Sequence, residues 1–196
     1  MWVHESFTNY SEALFTESKY GKEASTAYVK GIRDNIKNDR PIIGHYDVNS
    51  EGSGDMYYKG ANMVHLIRQL INDDDKFRSI LRGLNKTFYH KTVTTKEVED
   101  YISAQSGLKL TKIFDQYLRY KDIPILEYQI SRGQLRYRWL ANVKDFDMPV
   151  KVSLAPGTFS YIQPSATWKN IPVDSKITTR SFEADPNFYI NLKALN

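Results

Sequence analysis

Two carboxylates and two neighbouring tyrosines are the side chains from which a reactive site could be built. Glu5 and Glu12 lie seven residues apart, nearly two helical turns, so on a helix both project from one face. Carboxylates so placed are either ligands and orienting groups or a solvated polar face beside an apolar stripe. Tyr57 and Tyr58 offer phenols. A fixed phenol can stabilise a developing oxyanion, and it can equally be a packing group with a polar tip. The four histidines are His4, His45, His65 and His90, and no two stand four apart. The run His4-Glu5-Ser6-Phe7-Thr8 begins like HExxH, but Thr8 occupies the place of the second histidine. A two-histidine zinc helix is therefore absent, and each lone histidine reads as structural or solvent-exposed. With no cysteine, disulfides, thiolate zinc sites and thiol nucleophiles are excluded.

These groups need elements to hold them. Phe7, Tyr10 and Leu14 give one apolar stripe and predict a helix from Trp2 to about Lys19, stopped by Gly21. Tyr28, Ile32 and Ile36 predict a second helix over Lys22 to Lys37. A long loop follows from Asn38 to Asp55, with Pro41, Gly44, Gly52 and Gly54; such stretches are usually functional, and this one could line a cleft near His45 or Asp47. Met63, Val64, Ile67, Leu70 and Ile71 predict a helix from about Met56 to Ile71. Asp73, Asp74 and Asp75 suit the positive end of the next helix. Thr94 and Glu97 form a capping-box pattern ahead of Val98, Tyr101 and Ile102, and Gly107 ends that helix. A final helix carries Ile113, Phe114, Tyr117 and Leu118.

Beyond Pro124 the apolar period becomes two. Leu135, Tyr137 and Trp139 alternate with arginines, and Val150, Val152 and Leu154, then Phe188, Ile190 and Leu192, follow the same rule. Turns are signalled at Arg132-Gly133, Pro156-Gly157, Asp174-Ser175 and Asp185-Pro186. Short strands at this spacing predict a small antiparallel β-sandwich. The expected division is a helical part, residues 1–122, and a β part, residues 123–196.

Two blocks carry a resemblance. Trp2-Val3-His4-Glu5-Ser6-Phe7-Thr8-Asn9-Tyr10-Ser11-Glu12 resembles the W-L-N-E-G-F-x-x-Y-x-E block of the aminopeptidase N / leukotriene-hydrolase family of gluzincin metallopeptidases. His4 replaces the usual Asn and Ser6 the usual Gly. Met56-Tyr57-Tyr58-Lys59-Gly60-Ala61 resembles that family's x-Y-x-K-G-x block at a helix start. The resemblance implies an α+β chain: the helical C-terminal half of a thermolysin-like catalytic domain, then the β-sandwich. It implies Glu5 as the third zinc ligand of a His₂Glu set, Glu12 as an orienting residue behind it, and Tyr57 as the oxyanion-stabilising phenol. Lys59 and Gly60 are expected to serve backbone and packing needs. The implied activity is zinc-dependent removal of N-terminal residues from a peptide substrate. The HExxH helix and the family's G-x-M-E-N motif are not in this sequence. That and the abrupt opening inside a helical pattern suggest a fragment, inactive alone, whose missing N-terminal part carries the other ligands. A non-catalytic binding or scaffolding module, or a relative that has lost its zinc site, is the alternative.

The totals are compatible with this. The 196 residues are 41% hydrophobic and 26% charged, an ordinary globular composition. The net charge of +4 is spread without a basic stripe, which argues against a nucleic-acid partner. No run of about 18 apolar residues suggests a membrane span, and there is no targeting segment. The bacterial character of the two blocks and the lack of cysteine suggest a periplasmic or secreted protein.

Overall fold

A computed structural model describes every residue except Asp47, Asn49 and Asn196; the part of the long loop assigned to Asp47 lies outside the described residues. Helix α1 (Trp2–Tyr20) buries Trp2, Ser6, Tyr10 and Ala13. Its buried line is thus rotated slightly from the expected Phe7–Tyr10–Leu14 stripe, because the small Ser6 lets α3 approach closely on that side. Gly21 ends it, its N–H bonding the Glu17 carbonyl at 2.9 Å. Helix α2 (Lys22–Gly31) is shorter than expected and passes into a 3-10 turn, Ile32–Asn35. The chain then leaves helical geometry at Ile36, and the buried Asp55 carboxylate accepts the freed N–H groups of Lys37 and Asn38 at 2.9 and 2.7 Å.

The ends of the long loop are tied down. Ser53 N–H bonds the Pro41 carbonyl and Ile43 N–H the Leu118 carbonyl, both at 3.0 Å. A 3-10 turn, Gly54–Met56, leads into α3 (Tyr58–Ile71). This is the central helix, buried from Lys59 through Arg68. Asp73 caps α4 (Asp74–Thr87) by accepting the Lys76 N–H at 2.9 Å. The predicted capping box of α5 (Thr95–Ser106) is formed in both directions, and Gly107 ends the helix. Helix α6 (Thr111–Arg119) completes the helical part.

Strands β1 (Ile125–Ser131) and β2 (Gln134–Leu140) make a hairpin whose turn residues, Arg132 and Gly133, both have positive φ, 50° and 71°; mirror-image turns of this kind match strand twist. The alternation read in β2 holds, with Leu135, Tyr137 and Trp139 all buried. Strands β3 (Val150–Ala155) and β4 (Thr158–Ile162) form a separate hairpin, while β5 (Lys169–Pro172) and β6 (Asn191–Ala194) flank the first one in the order β5-β2-β1-β6. Two expectations fail here. The sheet is mixed, not antiparallel, because β6 runs parallel to β1. A parallel neighbour needs a long connection; here it runs from Ser131 through β2 to β5, and the stretch between Pro172 and Asn191 carries the chain from one edge of the sheet to the other. Phe188 and Ile190 also lie outside β6. Phe188 and Tyr189 are instead buried in the connection, where the Tyr189 carbonyl accepts the Tyr117 hydroxyl at 2.5 Å.

The change from helix to strand falls between Arg119 and Ile125. One apolar cluster draws on both sides of it, from Trp2, Met63 and Phe114 to Leu126, Trp139 and Phe188. No helix among the described residues is long and apolar enough to cross a membrane.

Candidate functional site

Glu5 leaves the first turn and a half of α1, partly buried. Tyr57 stands at the entrance of α3, with 41% of its surface exposed. Their neighbours in sequence bring them together: the buried Ser6 hydroxyl donates to the Met56 carbonyl at 2.7 Å. The Glu5 carboxylate is near enough to the Tyr57 phenol to act on it. Its negative charge, then loss of solvent around the phenol, then its hydrogen bond hold the Tyr57 pKa above the usual tyrosine range, with Glu51 adding to the effect. Tyr57 therefore keeps its proton at neutral pH and can act as a donor.

Glu12 is exposed, two turns further along α1, and accepts a hydrogen bond from the Tyr28 hydroxyl of α2. Burial, and then this bond and the Glu12 charge, push the Tyr28 pKa up to about 12, with Tyr58 also adjacent. Asn9 lies between the two acids on α1, its Oδ1 buried without a partner. The face thus consists of Glu5, Asn9 and Glu12 against Tyr57, Tyr58 and Tyr28.

Sequence reasoning missed the part played by Tyr28, because its spacing with Ile32 marked it as a core residue. A phenol needs a partner for its hydroxyl when it packs, and that requirement was the available signal. Glu51 was hidden in the long loop. The expected roles of Lys59 and Gly60 are visible: fully buried Lys59 donates to the carbonyls of Tyr120 and Lys121 at 3.1 and 2.6 Å, and burial lowers its pKa to about 8.

The histidines do not join this face. His4, His45 and His90 are exposed. His65 is buried between Tyr10 and Asn187. Among the described residues no three histidine or acidic side chains gather as a metal-binding group. A catalytic zinc takes three protein ligands, so this chain's donors do not by themselves fit one. Cavities of about 410 and 460 Å³ lie elsewhere, one under Leu110, Ile113 and Pro149, the other along Phe7, Leu84 and Phe88. Neither is lined by Glu5 or Tyr57.

A helical layer thus precedes a mixed sheet, and an acid and a phenol come from the starts of two helices. Residues 1–117 match the peptidase family M1 domain, and the chain belongs to that family. It is 26% identical over 152 residues to aminopeptidase N of Lactobacillus helveticus, covering 69% of this chain and 18% of that protein. It also superposes on the crystal structure of Legionella pneumophila aminopeptidase A in complex with aspartic acid, with a TM-score of 0.68 and 17% identity, over 98% of this chain and 24% of the other. The second likeness speaks for the fold. In both comparisons this chain spans about a quarter or less of its relative's length.

Proposed function

We propose that this chain provides one wall of a zinc aminopeptidase active site, completed by polypeptide outside it. Glu5 is one carboxylate donor to the metal, Tyr57 is the phenol that stabilises the oxyanion, and Glu12 orders the α1 face through Tyr28. The observation that carries this reading is the Ser6–Met56 bond that sets the residues next to Glu5 and Tyr57 against each other, within the region that matches family M1. Side chains facing opposite ways would have favoured a scaffolding module. The described residues hold no full donor set for a catalytic zinc, so in this reading the paired imidazoles come from polypeptide outside this chain, in keeping with its partial coverage of longer relatives.

The chemistry assigned to this chain's own residues is limited. The substrate is a peptide, cut at its N-terminal end. A protonated Tyr57 donates to the carbonyl oxygen as negative charge develops on it. A preorganised donor of this kind acts most strongly where charge appears only in the transition state.

The chain alone is expected to show no hydrolysis of aminoacyl anilides; measurable turnover, abolished by Tyr57→Phe, would contradict the division of the site. In the intact protein, Tyr57→Phe should lower kcat roughly 100-fold while zinc content stays constant. Glu5→Gln should reduce zinc content, read by metal analysis after dialysis. Unchanged zinc in Glu5→Gln would remove the ligand assignment.

A further inference from the structure

We propose that Ser6 is a positioning residue: its hydroxyl bond to the Met56 carbonyl, made against the bare Cα of Gly60, holds the Glu5 carboxylate and the Tyr57 phenol in register. The inference rests on the reading of Glu5 and Tyr57 as one site.

The geometry is local and tight. Ser6 is fully buried and its Oγ lies 2.7 Å from the Met56 oxygen. A Cβ placed on Gly60 would meet Ser6 Oγ at 1.9 Å and Ser6 Cβ at 2.8 Å. No side chain other than hydrogen fits at 60 while Ser6 keeps this place. The two helices therefore approach more closely than residues with side chains at both positions would permit. Ser6 follows Glu5 directly, and Met56 directly precedes Tyr57. One bond thus joins the residues next to both functional groups.

The anchors on either side act at a distance. Four residues before Ser6, Trp2 Nε1 donates to Thr95 on α5 at 3.0 Å. Four residues after it, Tyr10 bonds His65 on α3 at 3.2 Å. These bonds tie α1 to α5 and α3 and do not run to the turn that launches Tyr57. The Ser6 hydroxyl bond does, and it holds the last residue of the Gly54–Met56 turn. That turn is otherwise held through Ser53 and the Asp55 carboxylate on its far side. Loss of the Ser6 bond leaves the Met56 carbonyl buried without its partner, a situation the turn relieves by rotating. Rotation of that peptide swings Tyr57.

The test separates positioning from packing. The chain is labelled in its tyrosine rings, and NMR at fixed neutral pH follows the Tyr57 ring signal and its nuclear Overhauser contact with the Glu5 side chain. The reference variant Glu5→Gln should shift the Tyr57 signal. Ser6→Ala should shift it too and abolish the Glu5 contact, leaving the Tyr28 signal in place. Gly60→Ala, which forces the serine away, should do the same and lower the unfolding midpoint. The double variant with Ser6→Gly and Gly60→Ala removes the clash, so it should regain the unfolding midpoint of Ser6→Gly while the Tyr57 signal stays displaced. A Tyr57 signal that returns with stability, or is untouched in Ser6→Ala, makes Ser6 a packing residue and overturns the proposal; the shared site then stands if Glu5→Gln still shifts Tyr57. No shift in Glu5→Gln defeats the shared site itself, and the role given to Ser6 falls with it.

Discussion

Tyr57 and Tyr28 show how two phenols on one face are set to different tasks. Tyr57 keeps much of its surface open, so a protonated donor is available to a ligand. Tyr28 is committed to Glu12, so its hydroxyl already has an acceptor. Elsewhere, one buried titratable group governs the response to acid. His65 Nε2 bonds the Asn187 amide oxygen at 2.9 Å, and Tyr10 supplies a hydroxyl at Nδ1. The Asn187 amide is oriented by its own bond to Asp185, so His65 donates from Nε2 and accepts at Nδ1. Burial pushes its pKa down to about 4 from the usual 6.5. Between those values the unfolded chain binds a proton that the folded chain refuses, so stability falls as pH drops through the interval. The loss should approach about 3 kcal/mol at its lower end. Glu17 and Asp74, whose carboxyls Arg68 holds low, add their losses only below the ordinary carboxylate range. Urea unfolding at pH 7 and pH 5, with His65 followed by NMR, should show the decline before those acids protonate.

Among the elements, α1 is held to the rest by polar bonds as much as by its apolar line. Arg68 of α3 makes a two-point ion pair with Glu17 of α1, at 2.6 and 2.8 Å, and a further bond to Asp74 of α4 at 2.8 Å. Its side chain is 8% exposed. Three helices therefore meet on one guanidinium; removing it strands Glu17, while Asp74 keeps its bond from Lys22 at 2.8 Å. Arg68→Ala is expected to cost about 3 kcal/mol, measured by chemical denaturation at neutral pH. The exposed capping box of α5 is a smaller matter. Thr94→Ala should cost about 1 kcal/mol and leave the Glu5–Tyr57 face unchanged. These features differ in legibility. The box was readable because Thr94 and Glu97 are three residues apart and their bonds are local. The Arg68 junction was not, since Glu17 lies 51 residues away and nothing in its neighbourhood marks it.

In the whole molecule the helices and the sheet share one apolar cluster, and polar bonds cross the same boundary. Arg33 donates to the Pro186 carbonyl at 2.8 Å, Tyr161 to the Gln69 carbonyl at 2.6 Å, and Thr26 to Asn187 at 2.9 Å. We expect the chain to unfold in one transition, with near- and far-ultraviolet circular dichroism coinciding. Residues 1–122 alone should lose that cooperativity and bind a hydrophobic dye, because Phe114, Tyr117 and Leu118 would lose the sheet side of their packing. Two separate transitions in the whole chain would instead support independent helical and β units. Local pattern was enough for the helices other than the end of α2, for the caps at Asp73, Thr94 and Gly107, for the alternation of β2, and for placing Glu5 and Glu12 two turns apart on α1. Each depends on residues within a turn or two of one another, where backbone geometry is fixed by local sterics and hydrogen bonding. Tertiary structure alone decided that Glu5 meets Tyr57, that Glu12 turns to Tyr28, and that β6 joins β1 in parallel. Those pairings depend on how closely distant segments can approach, which is set by buried contacts such as Ser6 against Gly60 and not by any pattern along the chain.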